Sequence, residues 1–156
     1  MRTTRIGFLL AGWLLAASCG SATDDGDQPD QLAPGTIAGT IDGTAWITTT
    51  AIAIAAGGRV LAAGTGTQNL TFGFGVTATT PGTFGVGSSG NASASLADGT
   101  GNVWEAAVSG GGGTLTISSD ASNQIEGTFS FTMVRTIGSS PVMTRTITNG
   151  RFNLRY

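Results

Sequence analysis

In the body of the chain only five side chains carry a carboxylate, Asp42, Asp98, Glu105, Asp120 and Glu126, and no histidine accompanies them. Hydrolysis of a glycosidic bond needs two carboxyl groups facing one another across the sugar. Asp42, Asp98 and Asp120 each fall in a turn-like context, where aspartate commonly hydrogen-bonds the local backbone. Glu105 and Glu126 are therefore the one pair that strands could present together, and surface ion pairing with Arg135 or Arg151 is the simpler expectation for them. Without histidine the commonest general base and metal ligand is missing, and a lone cysteine cannot build a zinc site. The sequence thus predicts a protein that is not an enzyme, with no catalytic residue, no cofactor and no metal site.

The one side chain to which the sequence assigns chemistry is Cys19, the only cysteine. Arg2 and Arg5 precede an apolar run over residues 6–17, and small residues at Ala16, Ala17 and Ser18 follow, which is the order of a secretory signal peptide. The run falls short of the roughly twenty residues that a membrane-spanning helix requires. The segment Leu15-Ala16-Ala17-Ser18-Cys19 resembles the bacterial lipobox, although Ala16 stands where leucine is commonest. That resemblance implies cleavage before Cys19 and lipidation of its sulfur. By likeness to lipoproteins of two-membrane bacteria, Gly20 after the cysteine, in place of aspartate, implies delivery to the outer membrane. Two or three acyl chains hold a protein on a bilayer without any other device.

The expected organisation is a signal peptide over residues 1–18, a lipidated cysteine and flexible acidic tether over 19–35, and one domain over 36–156. Asp24, Asp25, Asp27, Asp30, Pro29 and Pro34 lie in the tether, which lacks apolar periodicity and repels itself. Its aspartates do not follow the spacing of a helical calcium loop.

Charged residues make up 10% of the chain, with a formal net charge of -2, all positive charge is arginine, and 40% of residues are apolar. That balance lacks the basic stripe of a nucleic-acid binder, and none is expected as a partner. It also has too much apolar residue and too little net charge for disorder. Abundant threonine and 26 glycines favour strands and turns over helices.

From residue 36 onward, strand-like stretches alternate with glycine-centred turns, the pattern of an all-β, antiparallel sandwich or barrel-like domain of about eight to ten short strands. Asp42-Gly43 marks a two-residue hairpin between strands over 36–41 and 44–55. Pro81-Gly82 suits a turn between strands over 69–79 and 83–87, and Asn149-Gly150 a turn or bulge. Period-two alternation is clear in Leu70, Phe72, Phe74 and Val76, whose interleaved partners are small. It recurs in Phe129, Phe131 and Met133, and again in Phe152, Leu154 and Tyr156. These faces are expected to form one core with Trp46, Ile52, Ile54, Val60, Leu61, Leu96, Trp104, Leu115, Ile117 and Ile147. The glycine-rich stretches over 57–58, 85–90 and 110–113 lack the following helix and the lysine of a phosphate loop, and read as hairpin linkers.

Gly43-Thr44-Ala45-Trp46, Gly127-Thr128-Phe129-Ser130-Phe131 and Thr148-Asn149-Gly150-Arg151-Phe152 together resemble a group of uncharacterised bacterial lipoproteins that pair an early G-x-x-W with a late G-T-F-S-F and T-N-G-x-F. The resemblance implies an antiparallel β domain and carries no activity and no site residues. Two functional readings follow. One is an outer-membrane-anchored, non-enzymatic module that binds or supports envelope components through its surface. The other is a small-molecule carrier with a ligand cavity inside a β-barrel.

Overall fold

The computed structural model describes residues 31–77, 80–87, 89–137 and 140–156. The signal segment, Cys19 and most of the tether lie outside the described residues. Eleven strands follow one another, β1 (Thr36–Ile41), β2 (Thr44–Thr48), β3 (Ile52–Ala56), β4 (Arg59–Thr65), β5 (Leu70–Val76), β6 (Gly82–Val86), β7 (Ala92–Asp98), β8 (Val103–Glu105), β9 (Gly112–Ala121), β10 (Gln124–Ile137) and β11 (Ser140–Arg155). A single 3-10 turn, Thr67–Asn69, joins β4 to β5. The all-β expectation holds, with two differences. The strands number eleven, and the last two are not short, running 14 and 16 residues as one long hairpin.

The strands form one sheet in the order β2-β1-β11-β10-β9-β6-β7-β5-β4-β3, antiparallel except for a parallel link between β6 and β7 at Val86 and Ala92. β10 changes neighbour along its length. Gln124 to Thr132 pair with β9, while Val134 pairs with Glu105 of β8, which bridges across to β7.

The two ends of this order, β2 and β3, are consecutive in the chain. β2 pairs with β1 and β3 pairs with β4, so a single segment bends between Thr48 and Ile52 and changes partners. The Ala51 N–H donates to the Gly35 carbonyl at 2.9 Å across the junction, and Gly35 in turn donates to Asn153. The sheet therefore curls into a barrel-like ring. The corner is tight enough that a Cβ on Gly64 would meet the Thr48 methyl at 2.7 Å, and one on Gly66 would strike the Ile47 carbonyl.

That bend explains the main departure from expectation. The sequence reads residues 44–55 as one strand, which would put Trp46, Ile52 and Ile54 on one face. In the fold Trp46 and Thr48 point inward, the bend over residues 49–51 breaks the alternation, and Ala53, of opposite parity, is the next to point in. Period two then places Ile52 and Ile54 outside, at 70% and 59% exposure. Leu61 is exposed as well, because Val60 and Ala62 take the inward positions on β4 and successive strand residues face opposite ways. The other expected core residues, Trp46, Val60, Leu96, Trp104, Leu115, Ile117 and Ile147, are buried.

Turn chemistry follows the sequence at Asp42-Gly43, Gly57-Gly58 and Asn149-Gly150 but not at Pro81-Gly82, where Gly82 is already the first residue of β6 and β5 and β6 are not neighbours. Asp42 and Gly43 have φ of 48° and 82°, as a type I′ hairpin demands, and Gly57-Gly58 does the same between β3 and β4. Asn149, at φ 53°, sits inside β11, where the registers with both β1 and β10 shift, so Asn149-Gly150 is a bulge. Asp120 is a correction. It lies in β9, and the turn beyond it is made by Ser122 and Asn123, both at positive φ.

Inside the ring, aromatic rings fill the centre. Phe72 stacks on Phe129 with centroids 4.9 Å apart, Phe129 on Phe131 at 5.2 Å, and Phe74 meets Phe152 at 5.0 Å. Trp46 meets Phe72 edge-on and donates its indole N–H to the Leu70 carbonyl at 3.2 Å. Aromatic pairs of this kind add about 0.5–1.5 kcal/mol beyond their buried area.

Candidate functional site

A well-formed concavity lies outside the barrel, on the outer face of β3, β4, β5, β7 and β8, with a volume of about 510 Å³. Strand register builds it row by row. One cross-strand row reads Ile54, Leu61, Gly75, Ser93, and the next reads Ile52, Ala63, Gly73, Ser95, Glu105. Large apolar side chains stand at the β3 and β4 end of each row, and small residues form the floor over β5 and β7. The floor is kept low by glycine, since a Cβ on Gly75 would meet Leu61 Cδ2 at 2.8 Å. Glu105 at the far side is the only ionisable group lining the groove among the described residues.

The groove can hold an apolar group against a flat floor of backbone and small side chains, with one carboxylate at its rim. It offers no second acid. Glu126 also faces outward, but it lies eight positions before Val134, the β10 partner of Glu105, hence on the order of 25 Å away along the strand. Glu126 instead accepts hydrogen bonds from the side chains of Gln124, at 2.7 Å, and Gln31, at 3.3 Å. The Arg135 guanidinium points to the Met143 sulfur at 3.9 Å.

The three aspartates expected in turns serve the backbone or the sheet. Asp98 accepts from the Asn102 side chain at 2.8 Å, the Thr100 hydroxyl at 2.7 Å and the N–H groups of both residues. The Asn102 amide first, then the Thr100 hydroxyl, hold its carboxyl well below the usual carboxylate range. Asp42 accepts from the Thr146 N–H at 2.8 Å and pairs with Arg145 at 3.7 Å. Asp120 accepts from the Tyr156 hydroxyl.

One end of the barrel is closed by Trp104, which is 1% exposed, with the Arg145 guanidinium carbon 4.3 Å from its ring centroid. The Trp104 indole N–H is buried without a hydrogen-bond partner among the described residues. Among the described residues no three His, Cys, Asp or Glu side chains gather as metal ligands would.

The motif residues meet on adjacent strands. Gly127 lies opposite Phe152 and Gly150 opposite Phe129 across the β10–β11 ladder, while Trp46 lies opposite Gly39 on the next pair out. A family model described as a domain of unknown function, DUF6252, matches residues 34–153. The chain belongs to the DUF6252 family. The matched residues take in β1 to β10 and nearly all of β11, so the DUF6252 domain and the barrel coincide. No curated protein and no solved structure matches the chain.

The sequence marks the floor of the outer groove of this DUF6252 domain, because Gly73 and Gly75 alternate with Phe72, Phe74 and Val76. It misses the walls, since Ile52, Ile54 and Leu61 read as core. The available signal was the adjacency of Val60 and Leu61, only one of which can face inward.

Proposed function

We propose that this DUF6252 protein is a lipid-anchored module of the bacterial cell envelope, held on the outer membrane through Cys19, that works by binding at the outer face of its barrel and not by catalysis. The observation that carries the reading is the outer groove. Ile52, Ile54 and Leu61 stand exposed beside a floor of glycine and serine, where a domain concerned only with its own stability would place polar residues. Support for the anchor comes from the signal-like segment and the lipobox-like residues before Cys19.

The carrier reading needs room inside the ring, and the stacked rings of Phe72, Phe129 and Phe131 occupy that space. An outer site requires no such room. The separation of Glu105 from Glu126 weighs against two-carboxylate chemistry in the same way.

Two measurements test the proposal. Radiolabelled palmitate fed to the host is expected to label the protein and not its Cys19→Ala variant, and equal labelling of both would remove the anchor. For the groove, the apolar fluorophore anilinonaphthalene sulfonate is expected to brighten on the folded wild-type domain and to lose most of that response in Ile52→Ser/Leu61→Ser. An unchanged response in the variant would place apolar binding elsewhere. Native mass spectrometry of the domain purified from its host provides a third reading, because a retained small molecule insensitive to those two substitutions would favour the carrier.

A further inference from the structure

The outer groove is apolar at one side and charged at the other, and that polarity selects among the ligands it could take. At the charged side Glu105 lies directly across the β7–β8 ladder from Ser95, and side chains so opposed stand about 5 Å apart at Cβ. The loop after β8 forms the wall behind them. The Ala106 N–H donates to the Ala94 carbonyl at 3.0 Å, Ala107 lines the groove, and Gly110 comes over Val134, where an added Cβ would be in ordinary contact at 3.7 Å. Among the described residues no cation stands beside Glu105. Arg145 is taken by Asp42, and Arg135, which follows the β10 partner of Glu105, points to Met143. Arg59 borders a separate hollow beyond Ile54 and Leu61, roughly 20 Å from Glu105 by strand spacing and rise. The Ser93 and Ser95 hydroxyls on the same floor are also without hydrogen-bond partners among the described residues. The Ser93 oxygen lies over Gly75, 3.3 Å from where a Cβ would stand.

We infer that the groove takes an amphiphilic primary amine, with its hydrocarbon against Ile52, Ile54 and Leu61 and its ammonium at Glu105 and Ser95. An ionised carboxylate can only accept hydrogen bonds and a hydroxyl can accept them, so the pair calls for a group with several donors. A primary ammonium has three. Its bond to a carboxylate is also roughly twice as strong as one between neutral groups. An alcohol brings one donor and no charge, and a fatty acid or other anionic amphiphile would set a second negative charge beside Glu105. Three strand spacings separate Leu61 from Glu105, roughly 14 Å, and between them Gly73 and Gly75 leave the floor open to an alkyl chain. The inference rests on the outer groove being the binding face and names the ligand class of that face. It does not depend on the anchor.

Residues 31–156 contain every strand and every core residue described above, so they suffice for the measurement. Calorimetric titration at neutral pH and low salt compares octylamine, octanol and octanoate, three ligands with one alkyl body and different heads. At that pH an alkylamine is protonated, as a lysine side chain is. Octylamine is expected to bind about fivefold more tightly than octanol, the upper range of an ion pair at an exposed rim, and octanoate more weakly than either. High salt, which shortens screening to about 3 Å, is expected to narrow the gap. Glu105→Gln is expected to bring octylamine to the octanol value and to leave octanol unchanged. Ile52→Ser/Leu61→Ser is expected to weaken both. All three positions are exposed, so the variants are expected to melt as wild type does. Equal binding of octylamine and octanol, with both weakened by Ile52→Ser/Leu61→Ser, would overturn the amine preference and leave the groove standing. A preference that survives Glu105→Gln would overturn it too. No binding of any of the three, or binding untouched by Ile52→Ser/Leu61→Ser, would remove the groove and the inference with it.

Discussion

The ring of Phe129 lies across Gly150 on the neighbouring strand, so closely that any Cβ at position 150 would fall within the van der Waals envelope of the ring. The reciprocal arrangement stands two residues away, where Gly127 leaves room for Phe152, whose Cζ would be 2.6 Å from an added Cβ. The phenylalanines and glycines that recur in the late motifs are thus two interlocked pairs. Each strand supplies one ring and one vacancy. Gly150→Ala must displace an aromatic ring from a filled core, Gly127→Ala must shift both a ring and the backbone carbonyl of Thr116, and overpacking of that kind costs about 3 kcal/mol. Urea unfolding is expected to show a fall of that order in either variant. A loss below about 0.5 kcal/mol would mean the rings have other places to go.

Arg145 caps Trp104 at one end of the barrel and is steadied there by Asp42. Replacing it by leucine keeps apolar cover but removes the cation. The expected loss is about 1 kcal/mol, as partly exposed cation–π contacts contribute. Arg145→Ala also opens the end to water, so the Trp104 contribution to fluorescence is expected to move to longer wavelength. An unshifted spectrum would show that other groups shield the indole.

Asp98 predicts how the loop after β7 responds to acid. Its carboxylate, held down by Asn102 and Thr100, is more acidic in the folded chain than in the unfolded one. Its stabilising effect is therefore fully present above the ordinary value of 3.8 and is lost as pH falls below it. Asp98→Asn is expected to lower the melting temperature at neutral pH, and the difference from wild type is expected to shrink between about pH 5 and about pH 2. A difference that stays constant through that interval would remove the carboxylate from the explanation.

Tyr156 gives the opposite sign. The hydrogen bond to Asp120 first, and then burial, raise its phenol above the ordinary value of 10.0. Its contribution to folding is complete below that value and disappears as pH rises through the folded one. Tyr156 is the only tyrosine in the chain, so phenolate absorbance reports it alone. The midpoint is expected to lie above that of the urea-unfolded protein, and Asp120→Asn is expected to lower it.

What the sequence made legible follows from how local each determinant is. Asp42-Gly43 and Gly57-Gly58 specify their turns through φ alone, and Leu70 to Val76 announce a two-faced strand through period two. The strands on either side of Asn149-Gly150 are legible for the same reason. The bend after Thr48 is not, because no proline or glycine marks it. It is held by distant neighbours, Gly35 across the junction and Gly64 behind it, which nothing in residues 44–56 reveals. The groove inherits that blindness, since its walls exist only because the bend reverses the phase of Ile52 and Ile54. Glu105 and Glu126 show the same limit from the other side, as two acids on outward strand faces are chemically suggestive until the register sets them far apart.

The register of β1 with β11 ties Thr36 to Asn153, nearly the whole length of the domain apart. Every other neighbouring pair except β5–β7 and those involving β6 and β8 can form as soon as its own hairpin or short connection has been made. This one waits for the last strand. Phe152 and Leu154, which plug the interior, are supplied by the same segment. A nascent chain therefore stays an open, unsealed sheet until β11 has been made, and stop codons even a few residues before position 150 should yield a product that proteases clear instead of a slightly shortened barrel.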